Sequence, residues 1–191
     1  MRICILNGSP RLNGNTAELN KPFVEELAGG GAKLDVFTLA KMNVSSCKGC
    51  YHCQDVANAY GCFQQDDMHE IAASILQSDL IVLATPIYTW FCTTELKAVL
   101  DRFYGFAKYY RSAKGNFLEG KRIAVLATHG YEAAYAADPF VIGIQRMCEH
   151  YHMRYDGMFS VRDVDDLASF QTKQAISGAK EFARYLLSKN A

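Results

Sequence analysis

Four of the chain's seven cysteines fall between positions 47 and 62, as Cys47, Cys50, Cys53 and Cys62 in the pattern C-x2-C-x2-C-x8-C. Thiolates at such spacing can converge on a metal ion or an iron–sulfur cluster. His52 is a spare ligand if the metal is zinc. A reversible disulfide and plain packing of small, soft side chains in a loop are the other readings. Cys4, Cys92 and Cys148 sit in core-like patterns and read as buried apolar residues. His69, His150 and His152 lie near helix ends, and no role is assigned to them.

A second set of chemical residues lies at positions 7–16, "NGSPRLNGNT". It lacks the glycine pattern of a dinucleotide fingerprint and the Lys-Ser/Thr ending of a P-loop. It is instead dense in donors: Ser9, Arg11, Asn13, Asn15 and Thr16. A strand runs into it and a helix runs out, and free N–H groups at a helix start favour an anion. This suits a terminal phosphate monoester. The plainer alternative is a polar turn with Thr16 as N-cap. The later "GGGAK" at 29–33 reads as a helix terminator.

The elements that must position these residues alternate. Runs at 2–7, 33–39, 80–86, 122–128 and 153–161 read as strands, the third and fourth apolar throughout. Strands without alternation are buried on both faces, as in parallel sheets covered by helices. The last is more polar and reads as an edge. Between them, apolar residues recur at helical spacing: Met68, Ile71 and Ile75; Leu96, Val99 and Phe103; Phe140 and Ile144 after Asp138–Pro139; and Ala179, Phe182, Ala183 and Leu186. Asp67 and Glu70 have the spacing of a capping box. The first helix, from about Thr16 to Ala28, contains Pro22, which should kink it or delay its start. Lys97 and Asp101 fit an i, i+4 pair, and Arg102 reads as structural or as an oligomer contact. Five βα repeats imply a three-layer α/β fold, a doubly wound five-stranded parallel sheet. Ligands in such folds bind beyond the C-terminal strand ends, so the loops after strands one, three and four are the ones to inspect.

Length and composition bound the answer. The chain has 191 residues, 50% hydrophobic and 21% charged, with a formal net charge of zero. One domain over 1–191 is expected, with a cysteine-rich loop at about 45–65. No charged tail favours nucleic acid or a membrane surface, and no apolar run reaches the length of a span. The start "MRICILNGSP" is too short for a signal h-region, so a cytoplasmic protein with reduced cysteines is expected.

In order along the chain come "GSPRLNGNT", "CKGCYHC", "QQDDM" (64–68), "TPIYTWF" (85–91) and "LKAVLDRF" (96–103). In that combination, over roughly residues 1–130, the sequence resembles the flavodoxin-like NAD(P)H-dependent FMN reductases. The resemblance implies strand order 2-1-3-4-5 and bound FMN. It implies that Ser9, Arg11, Asn13, Asn15 and Thr16 hold the phosphate. It places Pro86, Ile87, Tyr88 and Trp90 along the ribityl chain and ring, and Thr128, His129 and Gly130 at the ring's pyrimidine end. Tyr131 and Tyr135 would roof the pocket. His129 is read as steering a flavin carbonyl or a proton, or else as a solvated loop histidine.

The implied activity is hydride transfer from NAD(P)H to FMN and on to a small-molecule acceptor such as a quinone, a nitro compound or a flavin. Iron–sulfur flavoproteins are relatives of the same family. They imply an alternative in which Cys47, Cys50, Cys53 and Cys62 hold a [4Fe–4S] cluster that exchanges electrons with FMN, with ferredoxin as partner. The last gap here, eight residues, is longer than is usual in that motif. A flavin-less, zinc-binding interaction module is a third reading. The family implies a homodimer or homotetramer.

Overall fold

A computed structural model describes residues 1–189. Five parallel strands form the sheet: β1 (Arg2–Asn7), β2 (Lys33–Thr38), β3 (Leu80–Pro86), β6 (Arg122–His129) and β7 (Arg154–Arg162). They lie in the order β2-β1-β3-β6-β7, which is 2-1-3-4-5 when only these strands are counted. A separate two-stranded hairpin, β4 (Ala107–Lys108) with β5 (Gly115–Asn116), has no counterpart in the sequence reading. Each of its strands is two residues long, too short to leave a periodic signal.

The two apolar faces explain the strand sequences. Ile3, Ile5, Leu80, Val82, Ala84, Ala124 and Leu126 face one core. Cys4, Leu6, Ile81, Leu83, Ile123, Val125 and Ala127 face the other. Alternate residues point to opposite faces, and both faces are covered. On the first face lie α1 (Asn15–Gly29) and α6 (Lys173–Ser188), joined by stacked Phe23 and Phe182 with ring centroids 5.9 Å apart. On the second lie α2 (Met68–Gln77), α3 (Thr94–Asp101) and α5 (Asp138–Tyr151), with a four-residue turn of helix, α4 (Ala133–Ala136), before α5. Strand β7 is an edge and only partly buried, as its polarity indicates.

Two local expectations change, the first in part. A delayed start of α1 is not seen: the helix starts at Asn15 and runs through Pro22 to Gly29. Pro22 is buried there, so packing outweighs the lost helix hydrogen bond. No Asp67–Glu70 capping box forms. Asp67 Oδ2 accepts instead from Asn43 N at 2.7 Å, and Asp66 Oδ1 accepts from Met68 N at 3.3 Å. Both carboxylates serve the long segment before α2 rather than the helix alone.

Candidate functional site

The C-terminal ends of β1, β3 and β6 are tied to one another. Gly8 N donates to Ala84 O at 2.8 Å, and Ile87 N donates to Thr128 O at 2.7 Å. The Thr93 hydroxyl donates to Gly8 O at 2.5 Å and also caps α3 by accepting from Leu96 N. A Cβ on Gly8 would lie 2.7 Å from Leu96 Cβ, so only glycine lets the first loop approach α3 this closely.

These ties bring four segments around one small niche of about 60 Å³. Ser9, Arg11, Asn15 and Thr16 come from the first loop; Pro86, Ile87 and Tyr88 from the second; Thr128, His129 and Gly130 from the third. The fourth, Asp163 after β7, was not anticipated. Asn13 is exposed and lines the adjoining groove with Arg11 and Asn15. Trp90 lines a larger space of about 390 Å³, which shares Ile87, Tyr88 and Gly130 with the niche.

The donors differ in what they can offer. The N-cap of α1 is Gly14, which supplies no capping side chain, so the first-turn N–H groups point out uncapped. The Thr16 hydroxyl is not that cap: it is buried and hydrogen-bonded to the Thr128 hydroxyl at 2.9 Å. The Ser9 hydroxyl accepts from Arg11 N and donates to Arg11 O, which shapes the turn. The Asn15 amide donates to Asp163 at 2.5 Å, fastening the segment after β7 to the helix start. Among the described residues that line the niche, Arg11 is the exposed cation. An uncapped helix start beside a guanidinium fits a phosphate.

The ring-sized space is framed by aromatics. Tyr88 and Phe91 close a two-residue turn, with Tyr88 N to Phe91 O at 2.9 Å and the reverse bond at 3.0 Å. Its central residues, Thr89 and Trp90, have φ of 50° and 66°. Two non-glycine residues in the left-handed region cost on the order of 1 kcal/mol each. Trp90 meets Tyr135 edge-on at 5.7 Å, and Tyr135 meets Tyr131 at 5.6 Å. No atom outside the adjacent chain lies within 4 Å of where a Gly130 Cβ would stand, so a flat ligand can lie against its backbone.

His129 is neither solvated nor free. It is 5% exposed; Nδ1 lies 2.7 Å from Tyr131 O and Nε2 3.0 Å from Ser160 Oγ. Nδ1 carries the hydrogen that meets the carbonyl, and Nε2 shares a hydrogen bond with the Ser160 hydroxyl. With both nitrogens engaged, His129 holds the third loop in place and is not a solvated loop histidine.

The cysteines occupy a second region. Cys47, Cys50, Cys53 and Cys62 line a single cavity of about 450 Å³, together with Tyr51, Phe63, Leu100 and Tyr104. All seven cysteines are unpaired. Among the described residues no three His, Cys, Asp or Glu side chains gather as a ready metal site. The four sulfurs border a space rather than meet at a point. A single zinc ion needs donors about 2.3 Å from one centre. A four-iron cluster is held at its corners, and a donor set of four cysteines around one cavity suits it better than a single ion.

The loop carrying these cysteines has almost no regular structure, yet buried polar side chains fasten it. Gln54 is 0% exposed. Its Nε2 donates to Tyr104 O at 2.6 Å and Ala107 O at 2.8 Å, and its Oε1 accepts from Tyr109 N at 3.0 Å. Arg102 is 2% exposed and pairs with Asp66 at 2.5 Å, while its Nη2 donates to Cys62 Sγ at 3.3 Å. Arg102 is thus structural and not an oligomer contact. Burial pushes the Asp66 carboxyl up, but Arg102 and the N–H groups of Ser45 and Met68 outweigh it and hold it below its ordinary value. Burial also raises the Cys53 thiol, against Gln54 and Lys108. Lys97 and Asp101 form the expected surface pair at 2.5 Å.

The doubly wound parallel sheet is an α/β fold whose C-terminal strand ends border a donor-rich niche and, beside it, an aromatic-framed slot. The chain belongs to the family described as having the flavodoxin-like fold, whose profile matches residues 1–186. An iron-sulfur flavoprotein of Methanocaldococcus jannaschii is 29% identical over 102 residues, 53% of this chain and 50% of that protein. A Bacillus subtilis protein named as an NAD(P)H-dependent FMN-containing oxidoreductase is 31% identical over 105 residues, 54% of this chain and 52% of its own. This chain therefore spans about half the length of these curated relatives. The solved structure of an NAD(P)H:quinone oxidoreductase from Methanothermobacter marburgensis superposes with a TM-score of 0.77 at 20% identity, over 97% of this chain and 96% of that one, a likeness of fold.

Proposed function

We propose that the protein is an FMN-dependent oxidoreductase that takes hydride from NAD(P)H and passes electrons to a small acceptor such as a quinone, a nitro compound or a flavin. The observation that carries this is the continuity of the uncapped start of α1, beside Arg11, with the slot between the Tyr88–Trp90 turn and Gly130. Family membership and the FMN-containing relative support it. FMN, when bound, supplies the hydride and electron chemistry. The chain's own residues do the rest. Arg11 and the first-turn amides hold the phosphate, with Ser9 and Thr16 shaping the loop. Tyr88 and Trp90 wall the ring's slot, and His129 fixes the loop that borders it. No residue is assigned a catalytic proton transfer.

The test is a titration of the metal-free protein with FMN, followed by anaerobic NADH or NADPH oxidation with a quinone acceptor. Tight binding and turnover are expected. Absence of FMN binding overturns the reading and leaves a flavin-less module.

A second reading adds a [4Fe–4S] cluster on Cys47, Cys50, Cys53 and Cys62, with ferredoxin as electron partner. Their shared cavity favours it, and so does the naming of relatives as iron-sulfur flavoproteins. Iron and sulfide analysis of anaerobically purified protein decides it. A homodimer or homotetramer is proposed from the apolar surface where Phe91, just before α3, and Ile142, on α5, are more than half exposed. Among the described residues no helix is long and apolar enough to cross a membrane. A cytoplasmic location is part of the same proposal.

A further inference from the structure

Beneath the cysteine cavity lies a buried cation that the proposed reaction does not use. Lys108 is 1% exposed. Its Nζ donates to Cys53 O at 2.7 Å, Tyr60 O at 3.0 Å and Gly105 O at 2.5 Å. An ammonium has three donors, so all are engaged, and none meets a carboxylate. Two of the three acceptors belong to the cysteine loop itself. The third, Gly105, sits where a Cβ would strike the Tyr60 ring at 2.4 Å, so the packing around this cation admits only glycine.

The charge is not needed for the fastening. Neutral Gln54 does the same work next door, gripping Tyr104 O and Ala107 O. A buried ammonium without a counter-charge is costly, and a polar amide would avoid that cost. The other buried cation of the region, Arg102, is answered by Asp66. Two buried cations therefore face one buried carboxylate. Both cations sit against the cysteine loop: Lys108 Nζ on Cys53 O at 2.7 Å, and Arg102 Nη2 on the Cys62 sulfur at 3.3 Å. At the rim, Asp101 is paired with Lys97, and Asp55 with Arg111.

We propose that Lys108 is the built-in counter-charge of the cysteine pocket: it fits the pocket to an anionic, cysteine-bound group and eases that group's acceptance of an electron. The proposal rests on the iron–sulfur reading for the identity of the group, a thiolate-bound cluster that is negative in both redox states. One electron enters and no bond or proton changes hands, so a fixed positive charge favours the reduced form. Lys108 is a positioning residue, because it touches the backbone of Cys53 and not the group itself.

The experiment uses the full chain, wild type and Lys108→Gln, with Lys108→Met as a second variant. Each is reconstituted with ferrous iron and sulfide under argon and titrated with dithionite at a series of potentials. Wild-type protein is expected to hold about four irons per chain. The Lys108→Gln cluster is expected to be about tenfold harder to reduce, about 59 mV lower for one electron. An unchanged potential overturns the proposal. If the wild type takes up no iron, the cluster reading fails, and the charge is tested alone in metal-free protein. There, alkylation of Cys53 and Cys62 by anionic iodoacetate is compared with that by neutral iodoacetamide, resolved by peptide mass. The ratio of the two rates cancels the reactivity of the thiol. It is expected to fall about threefold in Lys108→Gln, and an equal ratio overturns the charge role. Should both variants fail to fold, wild-type protein still decides. Its ratio at Cys53 and Cys62 must exceed that of free cysteine in the same buffer, and equality overturns the proposal.

Discussion

The phosphate niche and the cysteine cavity solve the same problem in opposite ways. The niche is built from short turns at strand ends, and its donors come from residues within a few positions of one another. Ser9 bonds Arg11, Gly8 bonds the neighbouring strand, and the cation that faces a ligand, Arg11, is exposed. The cysteine loop has no ladder beside it. Its shape is set by side chains about fifty residues away, namely Gln54 to the 104–110 segment, Lys108 to Cys53, and Arg102 to Ser45, Asp66 and Cys62. The lesson is about where polar groups may be placed. A sheet edge supplies its own backbone partners, so the niche can leave donors for a ligand. A long irregular loop must be satisfied from outside, and here buried polar residues do it.

The comparison breaks most sharply at Arg102. Arg102→Met leaves Asp66 buried without its partner, and a broken buried pair costs about 3–5 kcal/mol. Urea unfolding should show that loss, together with faster proteolysis of the 43–67 segment. Arg11→Ala, on the niche side, should leave the unfolding midpoint within about 0.5 kcal/mol of wild type. Equal stability of the two variants would mean that the cysteine loop is not fastened as described. Next in size is Gln54→Ala. It strands two carbonyls and two N–H groups, at about 1–3 kcal/mol. Circular dichroism melts should place it between Arg102→Met and wild type.

On the niche side the expected effects are on binding. Arg11→Ala should weaken FMN by about ten- to a hundredfold, as a charged hydrogen bond to phosphate is worth about 1.5–3 kcal/mol. Thr16→Ala should weaken it less, because the hydroxyl is already engaged with Thr128. Fluorescence titration of both variants ranks them. A larger loss in Thr16→Ala would show that its hydroxyl turns to the ligand.

The same contrast explains what the sequence discloses. The strands are legible because apolar runs such as "LIVLATP" admit few other uses, whereas their order follows from the family resemblance and not from the runs themselves. The niche is legible because its donors are adjacent in sequence and sit at a strand–helix junction. Asp163 is not, since it reaches Asn15 from 148 positions away and follows an edge strand with no special pattern. Lys108 and Gln54 look like ordinary surface residues. Many of their partners are backbone carbonyls, which every residue carries, so no spacing or residue type marks them. Arg102 stands out within "LKAVLDRF", but its partners Asp66 and Cys62 do not. Asp67 misleads for a related reason. Its spacing to Glu70 matches a cap, but Asn43 competes for the carboxylate and wins.

The smallest expected effect sharpens the comparison through pH. Asp66 has a folded-state value held below its ordinary one, mainly because Arg102 and two N–H groups outweigh the cost of burial. A carboxyl depressed on folding stabilises above its unfolded value, about 3.9. That contribution is lost as the pH falls through the lower folded value. In Arg102→Met only burial and the backbone bonds remain, and burial acts in the opposite direction. Protonation then relieves the variant while it harms the wild type. The stability difference between them should therefore shrink as the pH is lowered from 7 to 3, read as converging urea midpoints. A difference that stays constant over that range would show that Arg102 acts by packing alone. The Arg11→Ala variant should track wild type throughout, because no buried carboxylate depends on it.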